Sequence, residues 1–351
     1  MTIRQAVLLV GGRGTRMWPL TEDVPKALLP VAGTPFVELQ LRQLADAGVD
    51  EVILAVGTAQ LPSWEDHVDR RTGPPDVRVS VEPEPLDTAG GVRMAVADLD
   101  ERFAVLNGDV VVETDLGAFF RSAPETSAAT IALVEVEDPS SYGVVVARPD
   151  GVVERFVEKP PREDAPAQTV NAGVYVMSRD AIVGYEDGPL SFERTVFPDL
   201  VRRTALSALV IHGVWLDIGT PELYLACTGA LLRGESRLST FDTSHVVEQG
   251  AEMTGHTEGG WSYVAAGARV ATDAVVEEAV VLPGATVDAG ARVSRAIVGW
   301  SATVGRGAKV TDAAMVGTRA SVGAGCEIGE GMRIAPDAVL GPGAVTFSPP
   351  E

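Results

Sequence analysis

"VGWSATVGRGAKVTDAAMVGTRASVGAGCEI", residues 298–328, places an aliphatic residue at every sixth position: Val298, Val304, Val310, Val316, Val322 and Ile328. Four positions after each stands a small or soft one: Ala302, Ala308, Ala314, Ala320, Cys326 and Met332. A period of six suits neither a helical stripe nor one long strand. It suits short straight runs separated by turns and stacked coil on coil, the signature of a β-helix. The array runs outward to aliphatic residues at 293, 287 and 281, at 276, 270 and 264, and onward to 334 and 340. Steps of five at 276 to 281 and at 293 to 298 mark slipped corners or short loops. Residues 263–351 are therefore expected to form a left-handed parallel β-helix of hexapeptide repeats, with Cys326 in an inward slot as a buried, unreactive thiol.

Working back toward the N-terminus, the texture changes. From residue 3 to about 225, short apolar runs alternate with helical stretches. AVLLV, EVILAV, VRVSVE, RFAVLNGD, ATIALVEV, YGVVVA and SALVIHGVWLDIG read as strands, and 35–47 and 90–98 as helices. Such alternation predicts an α/β domain over 1–226 with a Rossmann-like, mostly parallel sheet, whose ligands bind beyond the C-terminal strand ends. Residues 227–262 read as the end of a helix followed by a polar, glycine-bearing linker.

Composition bounds the function. The chain has 351 residues, 46% of them hydrophobic, and a formal charge of −21. That balance argues against a broad nucleic-acid or anionic-membrane surface. Two cysteines, Cys227 and Cys326, make neither a disulfide framework nor a zinc cluster, and the four histidines have no metal-like spacing. With no long apolar leader or span, a cytoplasmic location and no membrane partner are expected. Of 28 basic residues only three are lysine, at 26, 159 and 309.

The first strand ends in Gly11-Gly12-Arg13-Gly14-Thr15-Arg16, a loop whose amides can approach a phosphate closely. A Walker loop requires Gly-Lys-Ser/Thr, but Thr15-Arg16 follows Gly14. A dinucleotide fingerprint requires a third Gly or Ala opening a helix, but Met17-Trp18-Pro19 stands there. What remains is a loop of amides with Arg13, Arg16 and Lys26. Asn107-Gly108-Asp109 and Trp215-Leu216-Asp217 each set one carboxylate at a strand end, and two carboxylates plus substrate phosphates suit Mg²⁺. Thr220-Pro221 reads as a helix N-cap and first helical residue. Glu158-Lys159-Pro160, Asn171-Ala172-Gly173 and Glu193 offer carboxylate, amide and ammonium groups for hydroxyls and a phosphate. The Pro/Gly loop around Glu84, Thr88 and Gly90 can present groups to a base edge.

Together these motifs resemble the nucleotide-sugar pyrophosphorylases, or sugar-1-phosphate nucleotidylyltransferases, over nearly the whole chain. GGRGTRMWPLT with PKALLPVAG is similar to the signature loop, LNGD to the metal-aspartate motif, FVEKP and NAGVYV to the sugar site, and WLDIGTPELY to the second metal aspartate. LSFERTVFPDL and the appended hexads most resemble bacterial mannose-1-phosphate guanylyltransferases. The resemblance implies Arg16 and Lys26 as triphosphate binders, Asp109 and Asp217 as Mg²⁺ ligands, and Lys159 as partner of the sugar phosphate. It implies Gly11, Gly12, Gly14, Thr15, Glu84, Thr88 and Gly90 around the nucleotide, and Gly143, Glu158, Asn171 and Glu193 around the sugar.

The implied reaction joins an NTP, GTP first, to a sugar 1-phosphate, mannose 1-phosphate first. Two departures bear on substrate: Asp87 replaces glycine in the pattern EPLGTAG, and Trp18 replaces an arginine common in the signature loop. Glucose, heptose or a cyclitol such as valienol 1-phosphate therefore stays open as acceptor. A non-catalytic regulatory paralogue would be expected to lack a signature basic residue or a metal carboxylate, and Arg16, Lys26, Asp109 and Asp217 are all present. An acyltransferase would be expected to carry a histidine in the coils, where 263–347 has none. The β-helix flank is expected to serve assembly into a homo-oligomer.

Overall fold

The structure is a computed structural model and describes residues 2–346, so 347–351 of the expected 263–351 domain lie outside the described residues. The chain divides into two compact units, Met1–Gly12 with Val37–Trp215, and Arg13–Phe36 with Leu216–Glu351. In this division residues 13–36 group with the C-terminal half of the chain.

The first unit is built on a nine-stranded sheet. Its strands are β1 (Gln5–Leu9), β2 (Glu51–Gly57), β3 (Asp76–Glu82), β4 (Arg102–Asn107), β5 (Ala129–Glu135), β6 (Gly143–Ala147), β7 (Val153–Glu158), β8 (Thr169–Ser178) and β9 (Leu206–Val210). They run in the order β7-β6-β8-β4-β1-β2-β3, with β5 also on β8 and β9 beyond β5. The neighbours β4, β1, β2 and β3 are parallel, as are β5 and β9. β8 is antiparallel to β4 and β5, and β7 to β6. The sheet is thus mixed. The apolar runs of β1, β2 and β4 are buried, as expected for strands covered on both faces. Leu9 pairs with Asn107, so the chain leaves β1 into Gly11-Gly12 beside the point where it leaves β4 into Gly108-Asp109.

Three helices matter to the site. α1 (Phe36–Asp46) carries Gln40, α2 (Leu61–Arg70) follows β2, and α3 (Asp87–Ala95) follows β3. Behind them, Phe103, Val105, Ile131, Tyr175, Phe192 and Phe197 share one apolar core.

In the second unit the hexads wind into a parallel β-helix of three ladders, two of six strands and one of five. Val264, Val270 and Val276 and their successors through Ile328 point inward and are at most 1% exposed, with the alanines and Cys326 between them. The first coil starts earlier than the hexads announce. His245–Val247, Glu252–Met253 and His256–Glu258 pair in parallel with the coil above, setting Val247 on Val264, Met253 on Val270 and Thr257 on Val276. A threonine in an aliphatic slot hides this turn, and the expected 227–262 linker ends at 244. Ahead of it lies the helix Pro221–Leu232, whose N-cap is Thr220, with Oγ1 accepting from Leu223 N at 3.3 Å. Tyr224 of that helix donates its hydroxyl to the Pro30 carbonyl, in the hairpin Pro30–Val31/Thr34–Pro35.

Candidate functional site

In the first unit the end of β4 is fixed before any chemistry begins. Gln40 Nε2 donates to the carbonyls of Asn107 and Val110, both at 2.7 Å, and Gly108 N donates to Leu9 O at 3.0 Å. A Cβ at Gly108 would lie 2.6 Å from Leu9 O and 2.5 Å from Val10 Cγ1, so only glycine lets β4 turn here and deliver Asp109.

Asn171 on β8 is held in the same way. Its Oδ1 accepts from Gly173 N at 2.9 Å, and its Nδ2 donates to the Tyr175 hydroxyl at 2.9 Å. Tyr175 is fully buried, wedged between Phe192 (ring centroids 5.6 Å) and Phe197 (5.2 Å). Burial pushes its phenol well above the ordinary value, the charges of Glu193 and Asp109 add to that, and Asn171 and Asn107 oppose it. Four polar groups from three separate stretches therefore bear on one hydroxyl. Tyr175 itself was not among the expected site residues, because a tyrosine inside an apolar run reads as core.

LSFERTVFPDL folds as one π-helical turn, Phe192–Val196, running into the helix Phe197–Arg202. Glu193 Oε2 accepts the hydroxyls of Thr88 (2.9 Å) and Ser191 (3.0 Å). On the facing strand, burial raises the Glu158 carboxyl above its ordinary value and Glu193 adds to that, while the Lys159 ammonium 3.4 Å from Glu158 works against it. Lys159 has φ +45° and is 63% exposed at its side chain. A Cβ at Gly143 would lie 2.6 Å from Phe156 Cζ and 3.0 Å from Glu158 Oε2, so this glycine leaves the carboxylate its place. Asp109, Gly143, Glu158, Lys159, Asn171 and Glu193 are thus brought into one electrostatic neighbourhood.

The expected nucleotide loop is only partly presented. Glu84 is exposed. The amides of Ala89 and Gly90 both donate to Leu190 O, at 2.8 and 3.0 Å. The Thr88 hydroxyl gives its proton to Glu193 and accepts from Phe192 N at 2.9 Å. Gly90 and Thr88 thus fasten the 188–193 segment to α3. Asp87 adopts φ +64°, the conformation in which a glycine is unstrained, and its carboxylate pairs with Arg194. Gly12 has nothing within 4 Å of its Cβ position, whereas Gly11 lies against Gly57 N and Glu82 Oε1.

Glu82 is a buried carboxyl that the sequence does not announce. It is buried at the end of β3, accepts Leu86 N at 3.2 Å, and sits under Gly11 and Gly91. Burial raises its carboxyl above the ordinary value; the Leu86 amide opposes this and Asp87 adds to it. With its folded pKa above the unfolded one, Glu82 contributes stability below the unfolded pKa and loses it as pH rises through the folded pKa. Glu82→Gln keeps the acceptor without the charge, so its melting temperature relative to the native chain should climb as pH is raised from about 4 to 7. A difference that stays flat over that range would contradict a strained carboxylate.

In the second unit Arg16 lies in a short turn, Thr15–Met17, entered through Gly14 at φ +60°. Met17 N donates to Gly14 O at 2.9 Å, as does Thr21 Oγ1 at 2.9 Å, and Met17 is fully buried. Lys26 opens the next turn, and its Cβ would come within 3.0 Å of a Cβ on Gly14. A Cβ on Gly219 would lie 2.8 Å from Asp217 Oδ1 and 3.1 Å from Arg16 Nη2, and Gly219 N donates to that carboxylate. Gly14, Arg16, Lys26 and Asp217 therefore cluster within the second unit, with a guanidinium and a carboxylate on either side of one glycine.

Among the described residues no group of three or more His, Cys, Asp or Glu side chains is arranged to hold a metal, and no helix is long and apolar enough to cross a membrane. Taken separately, Asp109 in the first unit and Asp217 in the second each offer carboxylate oxygens. A carboxylate oxygen is a donor type that suits a hard ion completed by phosphate and water.

A family profile described as nucleotidyl transferase matches residues 5–233, and one described as GlmU-like, C-terminal hexapeptide matches 242–339. The mannose-1-phosphate guanyltransferases of Gibberella zeae and Schizosaccharomyces pombe are each 37% identical, over 234 and 238 residues, covering 64% of this chain. The chain spans 63% of the length of those two relatives. Among solved structures, HddC from Yersinia pseudotuberculosis aligns with a TM-score of 0.57 and 30% identity, covering 64% of this chain and 98% of that one. The same protein complexed with GMP-PN aligns with a TM-score of 0.56 and 29% identity.

Proposed function

We propose, from the premise that this chain belongs to the nucleotidyl transferase family, that it is a mannose-1-phosphate guanylyltransferase: GTP and mannose 1-phosphate give GDP-mannose and pyrophosphate. The observation that carries this reading is a linked set of polar groups: Asp109, Asn171 and Glu193 bear on the buried Tyr175 hydroxyl, and Glu193 in turn bears on Glu158, which stands beside Lys159. Carboxylate, amide and ammonium groups so placed suit a phosphorylated, hydroxyl-rich acceptor. The names of the 37% identical relatives and the GMP-PN complex of HddC support the choice of base and sugar.

In this reading a phosphate oxygen of mannose 1-phosphate attacks the α-phosphorus of GTP in line. The bond from that phosphorus to the bridging β-phosphate oxygen breaks, and pyrophosphate carries the electron pair away. Catalysis is positioning and charge neutralisation. Lys159 binds the sugar phosphate. Glu158, Asn171 and Glu193 hold hydroxyls, with Gly143 leaving them room. Gly11, Gly12, Gly14 and Thr15 line the phosphates, Arg16 and Lys26 steady the leaving pyrophosphate, and Glu84 lies on the loop assigned to the base. Asp109 and Asp217 are the carboxylates assigned to Mg²⁺, which when bound neutralises phosphate charge. Asp87 and Arg194, paired beside Glu193, are the residues through which the acceptor preference of this chain is expected to differ.

Pyrophosphate release measured over GTP, dTTP, ATP, UTP and CTP against mannose, glucose, heptose and cyclitol 1-phosphates tests the reading. The highest kcat/KM is expected for GTP with mannose 1-phosphate. A higher value for another pair reassigns the substrates, and a folded, nucleotide-binding protein silent across the grid overturns the enzymatic reading.

A further inference from the structure

The signature loop is held from a distant part of the chain. Arg333, in the strand Arg333–Ile334 of the β-helix, extends its guanidinium to residues 16–18 and donates from Nη1 to two main-chain carbonyls, Arg16 O at 2.5 Å and Trp18 O at 2.9 Å. Both belong to the same compact unit. These carbonyls flank Met17, which is fully buried, so the turn carrying the Arg16 side chain is pinned on both sides. One coil earlier, Arg319 pairs with Asp337 and also feels the charge of Asp23. At the other end of the segment, Gly33 lies against the Tyr263 ring and the Glu248 carboxylate.

The chemistry suits the task. A guanidinium nitrogen has two protons in a fixed plane and can serve two carbonyls at once, and a cationic donor strengthens both bonds. Arg333 is exposed and its strand pairs through the backbone with Met315–Val316, so the coil does not depend on its side chain. Among the described residues Arg333 has no carboxylate partner, unlike Arg269, Arg295, Arg319 and Lys309 on the same coils.

We propose that Arg333 is a positioning residue for nucleotidyl transfer: it fixes the Thr15–Met17 turn so that the Arg16 guanidinium stands ready for the triphosphate. The β-helix is then a part of the nucleotide site's support as well as a separate folding element. This inference rests on the reading of Arg16 as a triphosphate ligand.

The test uses the full-length protein and two independent readouts. Arg333→Met keeps the aliphatic stem and removes the donors; Arg333→Lys restores a cation of shorter reach; Arg269→Ala, which loses only its 3.1 Å pair with Glu252, is the control. Hydrogen exchange at the amides of Met17, Trp18 and Leu20, which close the turn, should quicken about tenfold in Arg333→Met at an unchanged melting temperature, because two charge-assisted bonds are lost. The KM for GTP should rise about tenfold with a smaller change in the KM for the sugar phosphate. Arg333→Lys should fall between, and Arg269→Ala should match the native protein. Unchanged exchange at those amides in Arg333→Met overturns the positioning role, whatever the activity. Quickened exchange in a protein whose native form turns over no nucleotide leaves the anchor standing and overturns the functional reading instead.

Discussion

Asp109→Ala should lose at least about three powers of ten in kcat, equivalent to roughly 4 kcal/mol of transition-state stabilisation, with its melting temperature close to native. The expectation combines chemistry and support. The carboxylate is assigned to charge neutralisation at the reacting phosphates, where a preorganised group acts most strongly. Its backbone is held independently of it: Gln40 bridges the carbonyls of Asn107 and Val110, and Gly108 N is tied to Leu9 O. Removing the side chain therefore leaves the end of β4 in place. Saturating both substrates separates a lost transition-state interaction from weakened binding. Asp109→Ala with near-native kcat would remove this residue from the reaction.

Val304→Asp should destabilise the β-helix by about 3–5 kcal/mol, the range for a buried charge without a partner. Val304 is fully buried in the column running from Val264 to Ile328, and its strand pairs with Val287 below and Val322 above. Each coil supplies only one such residue per face, so a carboxylate there meets aliphatic groups on every side. Stability in a stacked array is close to a sum of neighbour terms, and a break in a middle coil is felt in both directions. The surface gives the contrast. Lys309→Ala loses a pair with Glu327 of 2.9 Å between groups 58% and 28% exposed, and should cost under about 1 kcal/mol. Urea unfolding followed by circular dichroism distinguishes the two, and a Val304→Asp variant as stable as Lys309→Ala would contradict the stacked core.

How much of this was legible in the sequence depended on how regular each pattern was. The hexads announce the β-helix because every coil repeats the same inward pair, and they fail only at His245–Glu258, where Thr257 takes the place of an aliphatic. The strands β1, β2 and β4 are continuous apolar runs and were readable for that reason. β7 was not, since Glu154 and Arg155 are exposed on it, and β8 was masked by Asn171-Ala172-Gly173, which reads as a loop yet lies inside a ten-residue strand. The antiparallel pairing of β8 with β4 and β5, and of β7 with β6, is the part of this Rossmann-like sheet that the sequence did not announce.

The site divides in the same way. Asp109, Glu158, Lys159, Arg16, Lys26 and Asp217 stand at the ends of strands or in turns, where polar groups in unusual settings attract notice, whereas Asn171 lies inside β8 and Glu193 in the π-helical turn. Tyr175 and Glu82 were missed because one sits in a core run and the other ends a strand with an ordinary-looking glutamate. Thr88 and Gly90 were expected at the nucleotide, and no spacing rule shows that Leu190 and Glu193, a hundred residues on, take up their hydrogen bonds. Arg333 is invisible for the same reason: its partners lie more than three hundred residues away.

The most direct test of the central claim follows the α-phosphate. With the full-length protein, Mg²⁺, mannose 1-phosphate and GTP labelled at the α-position, the account predicts that the label appears in GDP-mannose and that label placed instead at the γ-position appears in pyrophosphate. Label that stays in GTP, or is released as GMP without joining mannose 1-phosphate, would contradict it.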